Sequence, residues 1–530
     1  MATITLGKVA IKWRGVYDAA LTYTAQDVVS EGGSSYIAKT NVPIASLPST
    51  NATLWDVFAQ GVEGVTTTAG ELIYHNGTDL EALPVGTAGQ ILKLDNTGIP
   101  EWSTYSARQG VRAKSLVEGN RLMYRRGACV MQDGSARWWG RGENWMHGVG
   151  NSQSDRSYPV RTGFPFGAAK ISRMWGEYDY MSGAITEDGK WWAWGQNDNG
   201  EIGSGNTTDT YVPYCASDRT QNSIHGKTII EYAPMSSNEN GVSTLLLASD
   251  GTVHSTGYNG YGQLGFGDTT QRTSFTQVPV LAGITKLSRG RSQETSCLAL
   301  KSDGTLYAWG RNSYGQLGTG NTTQMNIPMQ INYFVSNSIT IVDMGQGQDT
   351  SWAIDDAKNL YTWGYNGYGN CGRNGTTTNT VTYTPAVALT NVVYCDNFTD
   401  DYNNMYAIKA DGSVWATGAN NYGCLGVAAD TTNRSSFTQC KKTDGTYFTN
   451  ATKVWCNGSG SYNYAYILDA TGVAWSVGYS GNGQLGSGTY DGNNYYFRQV
   501  LIHRRQVMDI RLVGNSSEGG AIFLLDDGQV

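Results

Sequence analysis

The chain of 530 residues has no Cys-x-x-Cys pair, only five histidines, only 11 prolines and no apolar run long enough to cross a membrane. Each absence closes a class of function. A zinc site needs Cys and His clustered at ligand spacing. Here the eight cysteines are scattered between Cys129 and Cys456, and His75, His147, His225, His254 and His503 stand far apart. No metal and no cofactor is expected, and the scattered thiols read as small buried hydrophobes. The first residues, MATITLGKVAIKWRG, hold no apolar segment of a secretion signal. The expectation is therefore no membrane span and synthesis in a reducing cytoplasm. Positive charge is scarce as well, with a net charge of −7 and a pI near 5.4. Nucleic-acid affinity comes largely from cationic contacts to phosphate, so no nucleic-acid partner is expected. The densest basic stretch is Arg108, Arg112, Lys114, Arg121, Arg125 and Arg126. It reads as a solvated connector over residues 104–127.

What is abundant is glycine, with 68 residues, alongside 33 tyrosines and 16 tryptophans. That profile suits many short strands joined by tight turns. The clearest pattern is YAWGRNSYGQLGTGNTT at 307–323, which recurs seven times in more or less degenerate form. Its register glycines are Gly140, Gly195, Gly257, Gly310, Gly364, Gly418 and Gly478. A near-constant period of this size means one supersecondary unit copied many times. Each unit also carries an Asp-Gly hairpin signal, as at Asp303-Gly304, Asp411-Gly412 and Asp527-Gly528, with Ala357-Lys358 departing from it. About four strands per unit predict an all-β chain built around a seven-bladed β-propeller over 128–530. The C-terminal AIFLLDDGQV is expected to close the ring by completing a blade begun near Ala128, which would remove the free edges. Asn197, Asn259, Asn312, Asn366 and Asn420 read as turn residues that satisfy backbone groups, and Leu264, Leu317, Leu425 and Leu485 as core.

The W-G-x-N-x-x-G-Q-L-G string resembles the repeat of the regulator of chromosome condensation family, and that resemblance implies the seven-bladed fold. Function is another matter, because one propeller family hosts unrelated activities. The basic tail of the chromatin-binding members and the Gly-Trp-Arg-His-Thr motifs of the photoreceptor members are absent here. Residues 1–61, with Trp13, Tyr23, Asp27, Tyr36, Ala38 and Trp55 in register, resemble small chitin-binding-type carbohydrate modules. Lys39, Thr40 and Asn41 stand where those modules place their sugar-stacking aromatics. Trp13, Tyr36 and Trp55 are expected in the core of so small a domain. Residues 62–103, notably TTTAGELIY at 66–74 and LPVGTAGQIL at 83–92, resemble collar segments of bacteriophage tail fibres. Those segments trimerise, and the resemblance implies the same here.

In an up-and-down blade, the loop before the second strand shares a face with the long Asn-Gly loop. Around the ring that face collects Glu177, Asp179, Tyr180, Glu239, Glu294, Asp349, Asp400, Asp401, Tyr402, Tyr462, Tyr464 and Glu518, with Trp145, Tyr261, Tyr314, Tyr368 and Tyr422 beside them. Acidic and tyrosine-rich loops suit adaptable recognition. The resulting expectation is a tail-fibre protein found in the virion. Its N-terminal part would join other tail proteins as a homotrimer, and its propeller would bind a host cell-surface receptor such as a glycan. The alternatives are a decorating virion protein without receptor binding, and a cellular protein-binding regulator. No catalytic residue is expected. Hydrolysis of glycans would require some of the face acids to converge as a carboxylate pair.

Overall fold

The computed structural model describes residues 12–23, 27–31, 34–39, 41–43, 47–48, 55–59, 72–75, 80–83, 90–94, 100–104, 112–117, 126–140, 148, 155–162, 164, 170–177, 181–237, 241–288, 295–373, 381–397, 404–457, 463–488, 492–502, 505–513 and 520–530. It comprises two units, Met1–Gly110 and Val111–Val530.

In the first unit a four-stranded sheet joins Lys12–Val16, Asp27–Glu31, Ser34–Ala38 and Trp55–Ala59 in chain order. The first pair is parallel and the others antiparallel. Tyr23, Val29, Ala38 and Val42 form its core, with Tyr17 and Tyr36 packed against them. Asp27 is buried and held by the Arg14 guanidinium at 3.0 Å. Tyr36 thus sits where the sequence places it; the side chains of Trp13 and Trp55 lie outside the description. Two hairpins follow, Leu72–His75 with Leu80–Leu83 and Gln90–Leu94 with Pro100–Thr104.

The second unit is a seven-bladed propeller of four-stranded antiparallel meanders. In the fourth blade the strands are Ile284–Leu287, Ser296–Lys301, Leu306–Gly310 and Met325–Gln330, running outward from the axis. The second strand is nearly all buried because a neighbouring blade covers each face. The hairpin that follows it needs a left-handed residue. Gly304 supplies it at φ 84°, and in the fifth blade Lys358 adopts φ 65° instead. Asp303 accepts the Thr305 amide across this turn at 3.0 Å.

The blades are joined by one repeated backbone bond. The amide opening each inner strand donates to the turn carbonyl of the blade before: Ile171 to Gly134, Ile229 to Gly189, Ile284 to Gly251, Ile341 to Gly304, Val392 to Lys358 and Ala451 to Gly412. A bulge after that first residue turns the third side chain toward the next blade. Arg173 donates to the Ile230 carbonyl at 3.1 Å, Glu231 accepts the Leu287 amide at 3.1 Å, and Lys286 pairs with Asp343.

Ring closure differs from the expectation. The first blade does not begin near Ala128 and does not wait for C-terminal strands. Ala113–Leu116, inside the stretch read as a basic connector, is its inner strand and pairs with Arg126–Met131. Four residues that follow Arg112 and include Lys114 are too short and too charged to show as a strand in sequence. The C-terminal Val507–Val513 and Gly520–Leu525 form a two-stranded sector of their own. Val507 donates to the Gly472 carbonyl and Ala113 to the Gly528 carbonyl, both at 2.9 Å, so the same backbone bond closes the circle.

The long loop between third and fourth strands is organised by one buried side chain. The Asn312 carboxamide oxygen accepts the Leu317 amide at 3.0 Å, while its NH₂ donates to the Asn321 and Thr323 carbonyls at 3.0 Å. Asn197, Asn259, Asn366 and Asn420 accept from Ile202, Leu264, Cys371 and Leu425 in the same way. A second slot holds a side chain that accepts the amide two residues earlier. Gln263, Gln316, Gln484 and Asn370 fill it at 2.9–3.0 Å from Tyr261, Tyr314, Asn482 and Tyr368. In the second blade it is filled by Glu201, which accepts the Asn199 amide at 2.8 Å and is 1% exposed. Burial, reinforced by Asp198 and Asp209, pushes its pKa up to about 8.

Two outcomes follow. Replacing Asn312 by Ala leaves the buried Leu317 amide without its partner and releases the Asn321 and Thr323 carbonyls. Urea denaturation should show a loss of about 1–3 kcal/mol, and the Leu317 amide should lose exchange protection. At exposed Ser313 the same change should stay within about 0.5 kcal/mol. Glu201 is protonated in the fold, so its contribution to stability is complete below its unfolded pKa and fades as pH rises through about 8. Glu201→Gln should therefore be close to neutral at pH 5 and stabilising on the order of 2–4 kcal/mol at pH 8. Thermal melts at the two pH values check the sign.

Candidate functional site

The long loops carry tyrosines on one face, and the bracing just described fixes where they stand. The Arg311 guanidinium lies 5.9 Å from the Tyr261 ring centre and 5.8 Å from that of Tyr314. Tyr314 meets Tyr365 edge-on at 5.4 Å, Tyr365 meets Tyr368 at 6.2 Å, and Tyr258 meets Tyr261 at 6.5 Å. These contacts make one belt across the third, fourth and fifth blades. A second pair, Tyr422 and Tyr479 at 5.1 Å, bridges the sixth and seventh. All of these residues are partly exposed, and Tyr261 is the most open at 37%. Tyr422 is held at φ 59°, a left-handed conformation that is uncommon for an aromatic and that tends to occur at ligand-contacting loops.

The belt stands on a rigid base. The indole N–H groups of Trp309 and Trp363 donate to the Gln263 and Gln316 carbonyls of the preceding blade, each at 2.8 Å. Thr256 and Thr417 make the matching bond to Gly200 and Gly369. Beneath the sixth loop, burial pushes the Cys424 thiol up to about 12, so it is unreactive near neutral pH.

The twelve residues proposed for the face fare differently. Asp349 is buried, and Gln316 reaches its carboxylate at 3.4 Å. Its carbonyl accepts the Tyr365 amide, so it is a support beneath the belt rather than a contact upon it. Tyr464 is fully buried, with its hydroxyl donating to the Gly520 carbonyl at 3.3 Å. It is core, because the second strand of a blade is covered on both faces. Glu177 ends an inner strand, and its side chain lies outside the described residues. Asp179, Tyr180, Glu239, Glu294, Asp400, Asp401, Tyr402, Tyr462 and Glu518 lie outside them altogether, as does Trp145. Tyr261, Tyr314, Tyr368 and Tyr422 are on the face as expected. Arg311 was missed in sequence, although its place between two Tyr-Gly loops was a usable signal.

One cavity of about 210 Å³ opens between the inner strands of the fourth, fifth and sixth blades, lined by Lys286, Asp343, Gln346, Trp352, Tyr394 and Asp396 among others. It is smaller than typical ligand pockets of roughly 300–1,000 Å³. Its contents are engaged with one another: Lys286 pairs with Asp343, and the Trp352 indole donates to Asn397 at 3.3 Å. Sequence reading passed over these residues because inner strands look like core. Among the described residues no three His, Cys, Asp or Glu side chains converge to hold a metal, and no helix is long and apolar enough to cross a membrane.

Comparison with known proteins supports the fold. The family model of the regulator of chromosome condensation (RCC1) repeat matches residues 303–354. The ultraviolet-B receptor UVR8 of Arabidopsis thaliana is 27% identical over 359 residues, covering 67% of this chain and 76% of that protein. The human E3 ubiquitin-protein ligase HERC2 is 29% identical over 187 residues, covering 35% of this chain but only 4% of its own length. Among solved structures, Prp20p of Saccharomyces cerevisiae superposes with a TM-score of 0.52 at 18% identity, covering 74% of this chain and 92% of that one. Human WBSCR16 gives 0.51 at 16% identity, over 70% and 90%. The chain is a β-propeller with a match to the RCC1 repeat over residues 303–354, and its likeness to these proteins is one of architecture.

Proposed function

We propose that this chain is a protein-docking propeller whose contact surface is the tyrosine and arginine belt on the loop face. The belt running from Tyr258 through Tyr261, Arg311, Tyr314 and Tyr365 to Tyr368 carries this reading. Tyrosine and arginine are the residues enriched at protein interfaces and their hot spots. A base already fixed by buried hydrogen bonds loses little freedom on binding. Similarity to a propeller studied for its binding to Gsp1p and histones supports a regulator-type platform. An acidic chain gives histones a charge-driven route to the protein. No residue of the belt is arranged for bond-breaking, so the proposed role is binding without catalysis.

A second reading keeps the N-terminal resemblance in view. The segment that looks like tail-fibre collars does form two hairpins, Leu72–His75 with Leu80–Leu83 and Gln90–Leu94 with Pro100–Thr104. In that setting the same belt would face a host cell-surface receptor, and three copies would gain avidity.

The test compares the labelled full chain with a Tyr261→Ala, Arg311→Ala, Tyr314→Ala variant. Each is applied to a purified small GTPase, to core histones and to intact bacterial cells. The docking reading expects saturable binding to at least one protein at physiological salt, weakened at least tenfold (about 1.4 kcal/mol) in the variant. Binding confined to cells and lost in the variant, with a trimer by light scattering, supports the second reading. Binding that ignores the substitutions removes the belt from both.

A further inference from the structure

The belt contains one cation, and its surroundings specify what the docking face takes; the inference rests on that docking reading. Arg311 follows the register glycine Gly310. The same position carries Tyr258 in the third blade, Tyr365 in the fifth and Tyr479 in the seventh. All four backbones are held alike. The amides of Tyr258, Arg311, Tyr365 and Tyr479 donate to the Val242, Thr295, Asp349 and Asn463 carbonyls at 2.8–3.0 Å. The fold therefore fixes the place and leaves the side chain free to differ. Where its counterparts present a ring, the fourth blade presents a guanidinium.

That guanidinium is not spent inside the molecule. Two other loop arginines pair with an acid four residues earlier, Arg272 with Asp268 at 2.7 Å and Arg434 with Asp430 at 2.9 Å. Among the described residues no carboxylate lies within ion-pair distance of Arg311. Composition does not force this, since the chain has 44 acidic residues against 37 basic ones. Of the five N–H donors of a guanidinium, the Nε–H of Arg311 goes to the Ser313 hydroxyl at 3.2 Å. The four on the terminal nitrogens meet no hydrogen-bond partner among the described residues. The rings of Tyr261 and Tyr314, from two different blades, flank the group and hold it by cation–π attraction.

We infer that the belt recognises an acidic polypeptide segment, with Arg311 taking an Asp or Glu carboxylate through its two terminal nitrogens. A guanidinium fork matches a carboxylate in two parallel bonds, and such charge-assisted bonds are about twice as strong as neutral ones. Holding the fork in advance spares the entropy of ordering it on binding. The flanking rings define the rest of the ligand. Residues two apart in an extended chain point the same way and stand about 6.6 Å apart. That spacing suits tyrosine rings centred 5.9 and 5.8 Å from the guanidinium. The segment is therefore extended, with an acid at its centre and apolar side chains two places before and after it.

The probe is the peptide Gly-Trp-Ser-Glu-Ser-Trp-Gly, acetylated and amidated so that the glutamate is its only charge. It is titrated into the full chain by calorimetry beside a twin with Gln in place of Glu. Saturable one-to-one binding of the Glu peptide is expected, at least tenfold tighter than that of the twin. Arg311→Gln should make the twins equal, and Arg311→Lys, which keeps the charge without the fork, should restore part of the difference. Twins that bind equally, and that both weaken in Tyr261→Ala, Tyr314→Ala, overturn the carboxylate and leave the docking face standing. A preference for the Glu peptide that survives Arg311→Gln also overturns the inference. So does absence of saturable binding by either twin at millimolar peptide, and the docking reading then stands on its own protein assay. N-Acetylneuraminic acid is the third arm: saturable binding of that sugar acid with both peptides silent assigns Arg311 to a glycan carboxylate and overturns the polypeptide.

Discussion

The buried asparagine of the long loops, from the second blade to the sixth, is the constraint on which the propeller depends. A loop of some fifteen residues must be fixed against a backbone entropy of roughly 1–2 kcal/mol per residue, and it has no ladder to do so. One carboxamide does it by acting in both directions. Asn312 takes an amide five residues ahead and gives its NH₂ to carbonyls nine and eleven residues ahead. The loop then becomes a surface that others can bond to. Because the Gln316 carbonyl is fixed, the Trp363 indole of the next blade has a partner and can be fully buried. Without that partner a buried indole N–H would cost about 1–3 kcal/mol.

This arrangement separates what must stay from what can vary. Residues pointing inward are committed: the asparagine, the Gln-type slot and the leucine beneath it. Those at the tip, such as Tyr261 and Tyr314, contribute their backbone amides to the slot while their rings remain outside. The tyrosine belt is therefore presented by bonds that do not involve its rings. Substituting a ring should change recognition and leave the blade intact, which is the property a docking face needs. Glu201 marks the limit of that tolerance. It fills a slot built for a neutral amide, and the fold accommodates it by keeping it protonated.

The repeat makes much of this legible in the sequence. The period identified the blades, the Asp-Gly pairs located the hairpins, and the Asn and Leu positions proved to be the braces and the core. Sequence failed where burial depends on neighbours in space. Asp349 and Tyr464 lie in or beside loops that look exposed, yet a blade's second strand begins immediately after Asp349 and with Tyr464 itself, and draws both inside. Ala113–Leu116 was hidden by charge, since the bulge lets Lys114 point away while Ala113 and Leu116 pack inward. Arg311 stands out less in sequence because one of its two rings, Tyr261, belongs to the neighbouring blade and lies 50 residues away.

Closure of the ring brings these threads together. A propeller needs continuity at its axis, where each inner strand bonds to the turn before it, and the two-stranded sector meets that need completely through Val507 and Gly528. The outer strands carry none of that continuity; they widen each blade and anchor the long loops. The axis therefore holds the circle together through main-chain bonds alone, and the side chains at the loop tips are left to differ without disturbing it.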